Sequence, residues 1–521
     1  MYNTETKPHI VLIVLDTHRS DRLGCYGYRR GTSPNIDAFA QKATLYQNAI
    51  APAQWTIPTH ASIFTGEPAS THLALQSNDV LDARLRTLAE RLSIAGYETI
   101  GFCNNPLVGV INNGFKRGFG RFYNYCGALP RAYRPSRASF PLLKRCSRVV
   151  HKAVQPIQDA FARSSQVFDA ALNPFWVPLW TRFAHFKGNT PVSIRDAARF
   201  VARQMTAHST RPRFLFLNLM ETHLPYSPPR RFTRAFAPQI QDRAARSFMK
   251  AFNRRALDWI TPPQNPFSEL EAHTLSDMYD AEVAYQDHLL AELLDVLDRP
   301  EHRAHTMVVL VADHGEMLGE HALMGHGFGV YRELIHVPLL IRFPGQAAGQ
   351  HVATPVSTTR LFHTILDAAG IKSCETDDTR TIDTEAQTLL RETQETPQEP
   401  PVVLSEAFAP EFALEAMERH KKGLIEKLNC RATHWAVYQQ PYKLIHVPAD
   451  RTELYSLEAD PLEREGLLLK AEDPRIQPLI AQLSAFLEQA RKHRPQDGQH
   501  KKAELENERI RRRLRGLGYI E

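Results

Sequence analysis

His9-Ile10-Val11-Leu12-Ile13-Val14-Leu15-Asp16 is an unbroken apolar run, rich in β-branched residues and closed by an acid. Continuous apolarity without alternation marks a strand covered on both faces, as in a parallel sheet packed between helices. Thr306-Met307-Val308-Val309-Leu310-Val311-Ala312-Asp313 repeats the design, and His314 follows at once. Further strands read at 97–102, 214–219 and 337–343, with helical patterns at 34–43, 84–95, 193–208, 269–297 and 358–370. This alternation predicts an α/β fold with a large mixed, mostly parallel sheet flanked by helices. Ligands gather at the carboxyl ends of such strands. Asp16 and Asp313 therefore stand where a site forms, although an Asx turn leaving a strand uses the same residue type.

Between these strands lies Gln54-Trp55-Thr56-Ile57-Pro58-Thr59-His60-Ala61-Ser62-Ile63-Phe64-Thr65-Gly66. Pro58 fits the first turn of a helix, where a missing N–H costs nothing. Thr56 is expected just before that helix N-terminus, where free N–H groups and the helix dipole favour an anion. A hydroxyl there can cap the helix, or attack a bound ester if its pKa is lowered. His223 follows another strand and precedes Leu224-Pro225-Tyr226, and His326 sits in a loop rich in Gly and His. Tyr279, Asp280 and Asp287 are expected to be half-exposed supports on the helix at 269–297.

The 521 residues are 43% hydrophobic and 23% charged, a globular composition with room for more than one packed unit. A net charge of +6 is too modest to indicate nucleic-acid binding. Positive charge is concentrated instead between 116 and 187, with 13 Lys/Arg against 2 Asp/Glu. This stretch reads as a basic insertion at about 116–190, either a surface for an anionic partner or a solvated excursion. Domain 1–372 is followed by a polar, acidic linker at 373–400. Strands at 402–406, 433–438, 442–446 and 452–455, then helices at 476–493 and 503–517, predict an α+β subdomain at 401–521 with a smaller antiparallel sheet. The six dispersed cysteines suggest buried small residues rather than a disulfide framework. Met1 to Pro8 lack the apolar core of a signal peptide, and no run is long enough for a transmembrane segment. A cytoplasmic location is the expectation.

Taken together, several ordered motifs resemble the sulfatase family of the alkaline phosphatase superfamily, which are metal-dependent ester hydrolases. They are Asp16 to Gly27 (DTHRSDRLGCYG), Thr32-Ser33-Pro34-Asn35-Ile36-Asp37, Thr56 to Gly66, His223-Leu224-Pro225-Tyr226, Asp313 to His321 (DHGEMLGEH) and Val337-Pro338-Leu339. Tyr442-Lys443-Leu444-Ile445, Glu453-Leu454-Tyr455-Ser456-Leu457 and Asp460-Pro461 resemble the C-terminal subdomain of that family. The resemblance implies one divalent metal ion held by Asp16, Asp313 and His314, with Thr56 as nucleophile and an additional ligand. His223 and His326 match positions that bind the anion or protonate the leaving group, and His60 stands where sulfatases usually carry Arg.

Two departures bear on the chemistry. Sulfatases oxidise a Cys or Ser at the nucleophile position to formylglycine. Thr56 carries a methyl on its β-carbon and would give a ketone, so formylglycine is not expected. Thr-x-Pro-x-His followed by Thr-Gly is similar instead to the nucleotide pyrophosphatase/phosphodiesterase branch, where Thr attacks phosphorus. Thr17 also replaces the second acid of the usual Asp-Asp pair, which suits Zn or Mn better than the oxygen-rich shell of Ca. The expected activity is hydrolysis of a phosphate mono- or diester or a phosphonate ester, on a small molecule, glycan or lipid head group. Sulfuric ester hydrolysis without formylglycine, transfer of a phospho-group to an acceptor, as in the similar phosphoethanolamine transferases, and non-catalytic binding are the other readings.

Overall fold

The computed structural model describes residues 7–127, 130, 132–133, 172–175, 177–178, 181, 186–206, 211–371, 373–375, 381–383, 387–393, 401–448, 450–469 and 473–494. Most of the basic insertion and the helix expected at 503–517 lie outside the described residues.

Eight strands form the central sheet: β1 (His9–Leu15), β2 (Thr44–Tyr46), β3 (Glu98–Cys103), β4 (Arg121–Asn124), β5 (Arg213–Leu219), β6 (Thr306–Ala312), β7 (Leu339–Arg342) and β8 (Gln350–Val352), in the order β8-β2-β7-β6-β1-β5-β3-β4. All run in one direction except β7, which is antiparallel to both its neighbours. This is the mixed, mostly parallel sheet that the apolar runs predict. Every residue of β1 and β6 is buried, as strands covered on both faces must be. Their register sets Leu15 beside both Ala312 and Leu219. One residue further along, Asp16 and Asp313 leave the same edge of the sheet as neighbours.

The strand expected at 337–343 is divided by Pro338. His336–Val337 pairs with Ala49–Ile50 in a separate three-stranded ribbon, and β7 enters the central sheet only beyond the proline. A residue without an N–H interrupts the ladder.

Helices α1 (Pro34–Ala40), α2 (Thr56–Thr65), α3 (Leu88–Ile94), α4 (Thr190–Gln204), α5 (Glu269–Asp298) and α6 (Leu361–Ala368) surround the sheet. A Ser268/Glu271 capping box starts the 30-residue α5. Tyr279, Asp280 and Asp287 on it are buried, not half-exposed, because loops from the sheet edge pack over that face. Tyr279 Oη donates to the Thr17 carbonyl at 2.6 Å and accepts from Arg19 N at 2.9 Å. Asp280 pairs with Arg22 and Arg30, and Asp287 accepts from the N–H groups of Asn35 and Ile36 at the start of α1. These polar pegs fix the segment leading away from Asp16.

The second sheet is antiparallel: β9 (Val403–Ala407), β10 (His434–Gln439), β11 (Tyr442–Val447), β12 (Arg451–Ser456) and β13 (Leu467–Leu468). Helix α7 (Gln477–Lys492) covers it through Leu479 and Leu483, which pack with Val437, Leu444 and Leu454 in a small separate core. Buried Lys443 pairs with Glu463 and donates to the Val330 carbonyl at 2.8 Å, while Arg332 N donates to Glu463 at 3.0 Å. Those bonds fasten the smaller sheet to the larger unit. Within the expected linker, Ser373–Glu375 pairs with Thr381–Asp383.

Candidate active site

Thr56 is the first residue of α2; the structure puts Trp55, in extended conformation, at the N-cap position expected for Thr56. Pro58 falls in the first turn. Gly66 ends the helix at φ 75°, and a Cβ there would lie 2.6 Å from the Phe362 ring, so the terminal Thr-Gly answers both a left-handed turn and close packing. The helix is buried along its whole length. Thr56 is thereby held rigidly, with Oγ1 3.3 Å from His314 Nε2.

Asp16, Asp313 and His314 converge on the same point, each fully buried. His314 Nε2 lies 3.4 Å from Asp313 Oδ2 and 3.9 Å from Asp16 Oδ1. Each carboxylate has its other oxygen tied down. Asp16 Oδ2 accepts from Asn105 Nδ2 at 2.5 Å, and Asp313 Oδ1 accepts from the N–H groups of His314 at 2.9 Å and Thr17 at 3.3 Å. Asp16 Oδ1 and Asp313 Oδ2 face inward with no hydrogen-bond donor. His314 Nδ1 donates to the Gly315 carbonyl at 2.9 Å, which leaves the Nε2 lone pair pointing at the two carboxylates.

Such a group carries a heavy electrostatic cost by itself. Burial pushes Asp16 up to about 6. Asp313 is driven well above the usual carboxylate range by burial and by the charge of Asp16. His314 is pulled well below its ordinary value by burial and by His326. Asp16, Asp313 and His314 bring two orphaned carboxylate oxygens and an imidazole lone pair within 4.8 Å of one another, with the Thr56 hydroxyl beside them, a group that could hold a divalent cation. The residues fit the metal that the sequence implies. One nitrogen and three oxygens match a small ion with few ligands. Thr17 adds no carboxylate: its hydroxyl donates to the Asp16 carbonyl at 2.7 Å, and its φ of 58° turns its N–H toward Asp313.

His60 sits beside Thr56, with Nδ1 3.5 Å from Asp313 Oδ2. Its ring is completely buried among Phe64, Phe115 and Phe216. Nδ1 donates to the Thr56 carbonyl at 2.9 Å, and Nε2 is left to accept from Asn218 Nδ2 at 3.3 Å. Burial lowers its pKa to about 4, so this imidazole is neutral. On another side, His326 packs on His314 and His223 packs on His326. The His326 ring centroid is 4.6 Å from that of His314 and 5.1 Å from that of His223. His326 Nδ1 lies 2.9 Å from Glu316 Oε1, and His223 Nδ1 donates to the Leu224 carbonyl at 2.7 Å.

Sequence reasoning assigned no role to Asn105, Asn218 or Glu316. Asn218 carried a signal, being the one polar side chain inside the apolar run Phe214-Leu215-Phe216-Leu217-Asn218-Leu219. Asn105 stands at the carboxyl end of β3, the same edge as Asp16. The expected insertion also ends against the site. The Phe186 ring packs edge-on to His223 at 5.5 Å, and Lys187 Nζ bonds to buried Glu282 at 3.1 Å and to the Pro225 carbonyl at 3.3 Å.

Comparison with known proteins assigns this architecture. The family profile for sulfatases matches residues 8–371. The chain belongs to the sulfatase family. It is 26% identical over 363 residues to mouse iduronate 2-sulfatase, spanning 65% of this chain and 60% of that one. It is 27% identical over 306 residues to the choline-sulfatase of Rhizobium meliloti strain 1021, spanning 56% of this chain and 53% of that one. The fold is similar to that of the phosphonate monoester hydrolase of Agrobacterium radiobacter, with a TM-score of 0.62 and 20% identity over 93% of this chain and 96% of that one. It is equally similar, at 0.62 and 16% identity, to a protein solved with its substrate D-glucosamine-2-N,6-O-disulfate, over 94% of this chain and 98% of that one. Among the described residues, no helix is long and apolar enough to cross a membrane.

Proposed function

We propose that the chain is a metal-dependent hydrolase of anionic esters, acting on phosphate or phosphonate esters before sulfate esters, with Thr56 as its nucleophile. One observation carries the reading: the Thr56 hydroxyl stands 3.3 Å from His314 Nε2, beside the donorless oxygens of Asp16 and Asp313. Relatives named as sulfatases and structural neighbours named as phosphonate monoester hydrolases support the reaction class. The preference for phosphorus comes from Thr56, whose side chain cannot become formylglycine.

Asp16, Asp313, His314 and Thr56 would hold the cation, which when bound supplies the positive charge that lowers the pKa of the Thr56 hydroxyl and offsets charge on the ester oxygens. Thr56 Oγ1, having given its proton to solvent, attacks phosphorus or sulfur opposite the leaving oxygen, which departs with the bonding electron pair as a covalent ester forms on the protein. His326 or His223 gives the leaving oxygen its proton. Water then cleaves the threonyl ester. Rigid burial of α2 keeps the nucleophile in place, and the surrounding buried shell restricts water.

The test is a panel of aryl phosphate, phosphodiester, phosphonate and sulfate esters assayed with zinc- or manganese-loaded protein. Thr56→Ala is expected to lose at least about 100-fold in kcat/KM on the best of them. Quenched wild-type reactions should show a phosphoryl or sulfuryl adduct on the peptide containing Thr56. Unchanged activity in Thr56→Ala overturns the assignment; a preference for sulfate would reverse the order of substrates. Turnover that requires an added alcohol would make the protein a transferase.

A further inference from the structure

Arg332 carries a half-buried guanidinium that the protein leaves largely unpaired. Its Nη2 donates to His336 Nδ1 at 3.1 Å. His336 is a neutral partner: Nε2 donates to the Gln47 carbonyl at 2.7 Å, and burial together with Arg332 lowers its pKa to about 4. Among the described residues, no carboxylate pairs with the Arg332 side chain. A guanidinium holds five N–H donors in a fixed fork that matches the oxygens of phosphate or sulfate. The protein meets one of the five.

The side chain opens on a cavity of about 520 Å³ at the seam between the larger unit and the smaller sheet. A second cavity, of about 450 Å³, also has Arg332 in its wall. The larger unit lends Arg19, Arg22 and Arg332 to the first cavity, and the segment joining β12 to β13 lends Leu462 and Arg464. Three carboxylates share that wall, and each is occupied or withdrawn. Arg19 spans Asp21 and Glu320, at 2.7 Å from each. Glu333 has a side chain only 9% exposed, with Oε2 3.7 Å from His321 Nε2. Arg22 pairs with Asp280 at 3.2 Å, and its Nε finds no acceptor. Arg464 is exposed, and nearby Asp460 accepts from Glu465 N at 2.8 Å. Positive charge is left over on Arg332 and Arg464, one from each side of the seam.

We propose that this cavity is a second oxoanion site, separate from Thr56, which takes phosphate or sulfate, free or as the head group of a small ester, on Arg332 and Arg464. Charge-assisted bonds from planar guanidinium groups are the strong contacts to such anions. Small-molecule cavities run from ~300 to 1,000 Å³, so this one has room for a sugar-sized group against Leu462 and His321 as well as the anion. An occupant held from both sides ties the smaller sheet to the larger unit. It also reaches the backbone behind His314. Gly315 N donates to the Leu334 carbonyl at 2.7 Å and Glu316 N to the Glu333 carbonyl at 3.1 Å, so the residues after His314 hang on the segment that carries Arg332. A Cβ on Gly315 would fall 1.9 Å from the Glu333 carbonyl oxygen, so the two segments are in close contact. Fixing Arg332 therefore stiffens both. The site stands whether or not Thr56 is the nucleophile.

The experiment is calorimetric titration of the full-length, metal-loaded protein with inorganic phosphate, inorganic sulfate and glucose 6-phosphate. Binding at the seam is expected to weaken about 10- to 100-fold in Arg332→Gln and in Arg464→Gln, and to be unchanged in Thr56→Ala. Arg332→Gln keeps the backbone bond from position 332 to Glu463. Arg299→Gln, which removes an exposed arginine at the end of α5, controls for net charge and should change no affinity. Bound anion should also slow amide exchange at 331–335 and 462–466. Tighter binding of glucose 6-phosphate than of phosphate supports the site with an ester head group as its occupant; the reverse order supports it with the free ion. Binding indifferent to both arginines, an equal loss in Arg299→Gln, or slowed exchange at neither segment would each overturn the proposal. If Arg332→Gln does not fold, the exposed Arg464→Gln decides.

Discussion

Asn105 Nδ2 donates to Asp16 Oδ2 at 2.5 Å, while Oδ1 of the same carboxylate is left without a donor. One oxygen is therefore anchored, and the other faces His314 Nε2 at 3.9 Å, at the proposed cation site. The Asn105 side chain is itself fixed, because its Oδ1 accepts from Leu107 N at 2.7 Å. Groups that orient a ligand without touching the metal commonly tune affinity 10- to 100-fold. Asn105→Leu is accordingly expected to weaken zinc or manganese binding by about 10- to 100-fold. Competition with a chromogenic chelator measures it, and unchanged affinity would show that Asp16 needs no anchor.

Asp313 gives a prediction of opposite sign for stability and function. Its carboxyl is pushed well above the usual range by burial and by Asp16, so without metal the folded state resists ionising it. Asp16 itself rises from 3.8 to about 6. An acid with a raised folded pKa contributes stability that is full below its unfolded value and is lost as pH rises through the folded one. Metal-free wild type should therefore lose stability between about pH 4 and 6 and stay less stable at pH 8. Asp313→Asn removes a buried charge, and its amide can donate toward His314 Nε2, which Asp313 Oδ2 faces at 3.4 Å. In chelator at pH 8 the variant should be more stable than wild type by ~1–4 kcal/mol, yet gain nothing from added metal and show no ester hydrolysis. Urea unfolding with and without zinc checks both halves; a less stable metal-free variant would refute the electrostatic argument.

His60→Gln tests whether this residue holds charge on the ester or supports the helix. A glutamine amide can still donate to the Thr56 carbonyl and accept from Asn218. Removing a donor that stabilises an oxyanion costs 10²–10³ in kcat, whereas the buried, neutral ring observed here predicts a loss within about tenfold. Steady-state kinetics on the best ester decides, and a loss beyond about 100-fold restores His60 to the anion.

The same residue shows where sequence stops being legible. Strands β1 and β6 were readable because an unbroken apolar run has few other homes, and an acid at the end of each follows from chain direction alone. That Asp16 and Asp313 come side by side depends on parallel register, with Leu15 beside Ala312, which neither run encodes by itself. His60 stands in a motif with Thr56, but four residues along a helix bring its ring back under the Thr56 carbonyl. Glu316 and His326 are ten positions apart, and only the ribbon of Met317–Leu318 and Met324–Gly325 between them makes them partners. Burial of Tyr279 and Asp287 was hidden because polar residues that peg a buried helix resemble those of a solvated face. Pro338, by contrast, carried a strand break in plain view.

His72 carries the last prediction, away from the proposed metal ligands. Its Nδ1 accepts from Ala74 N at 3.1 Å, and Nε2 is within reach of the Pro58 carbonyl at 3.2 Å and Ser62 Oγ at 3.1 Å, so the ring ties the turn after α2 back to its first turn. Both nitrogens are committed in the neutral form, and burial lowers the pKa from 6.5 to about 3. The unfolded chain takes up this proton below 6.5, while the folded chain refuses it until about 3. Its stabilising contribution is full above pH 6.5 and declines as pH falls toward 3, at a limiting slope of about 1.4 kcal/mol per pH unit. His72→Asn keeps an acceptor and a donor but cannot protonate. At pH 8 it should cost ~1–2 kcal/mol through its shorter reach, and between pH 6 and 4 its unfolding free energy should fall less steeply than that of wild type by close to one proton. Urea titrations at several pH values measure the two slopes. Parallel slopes would mean that His72 is protonated in the folded chain, and the bond to Pro58 would then have to be made by an imidazolium.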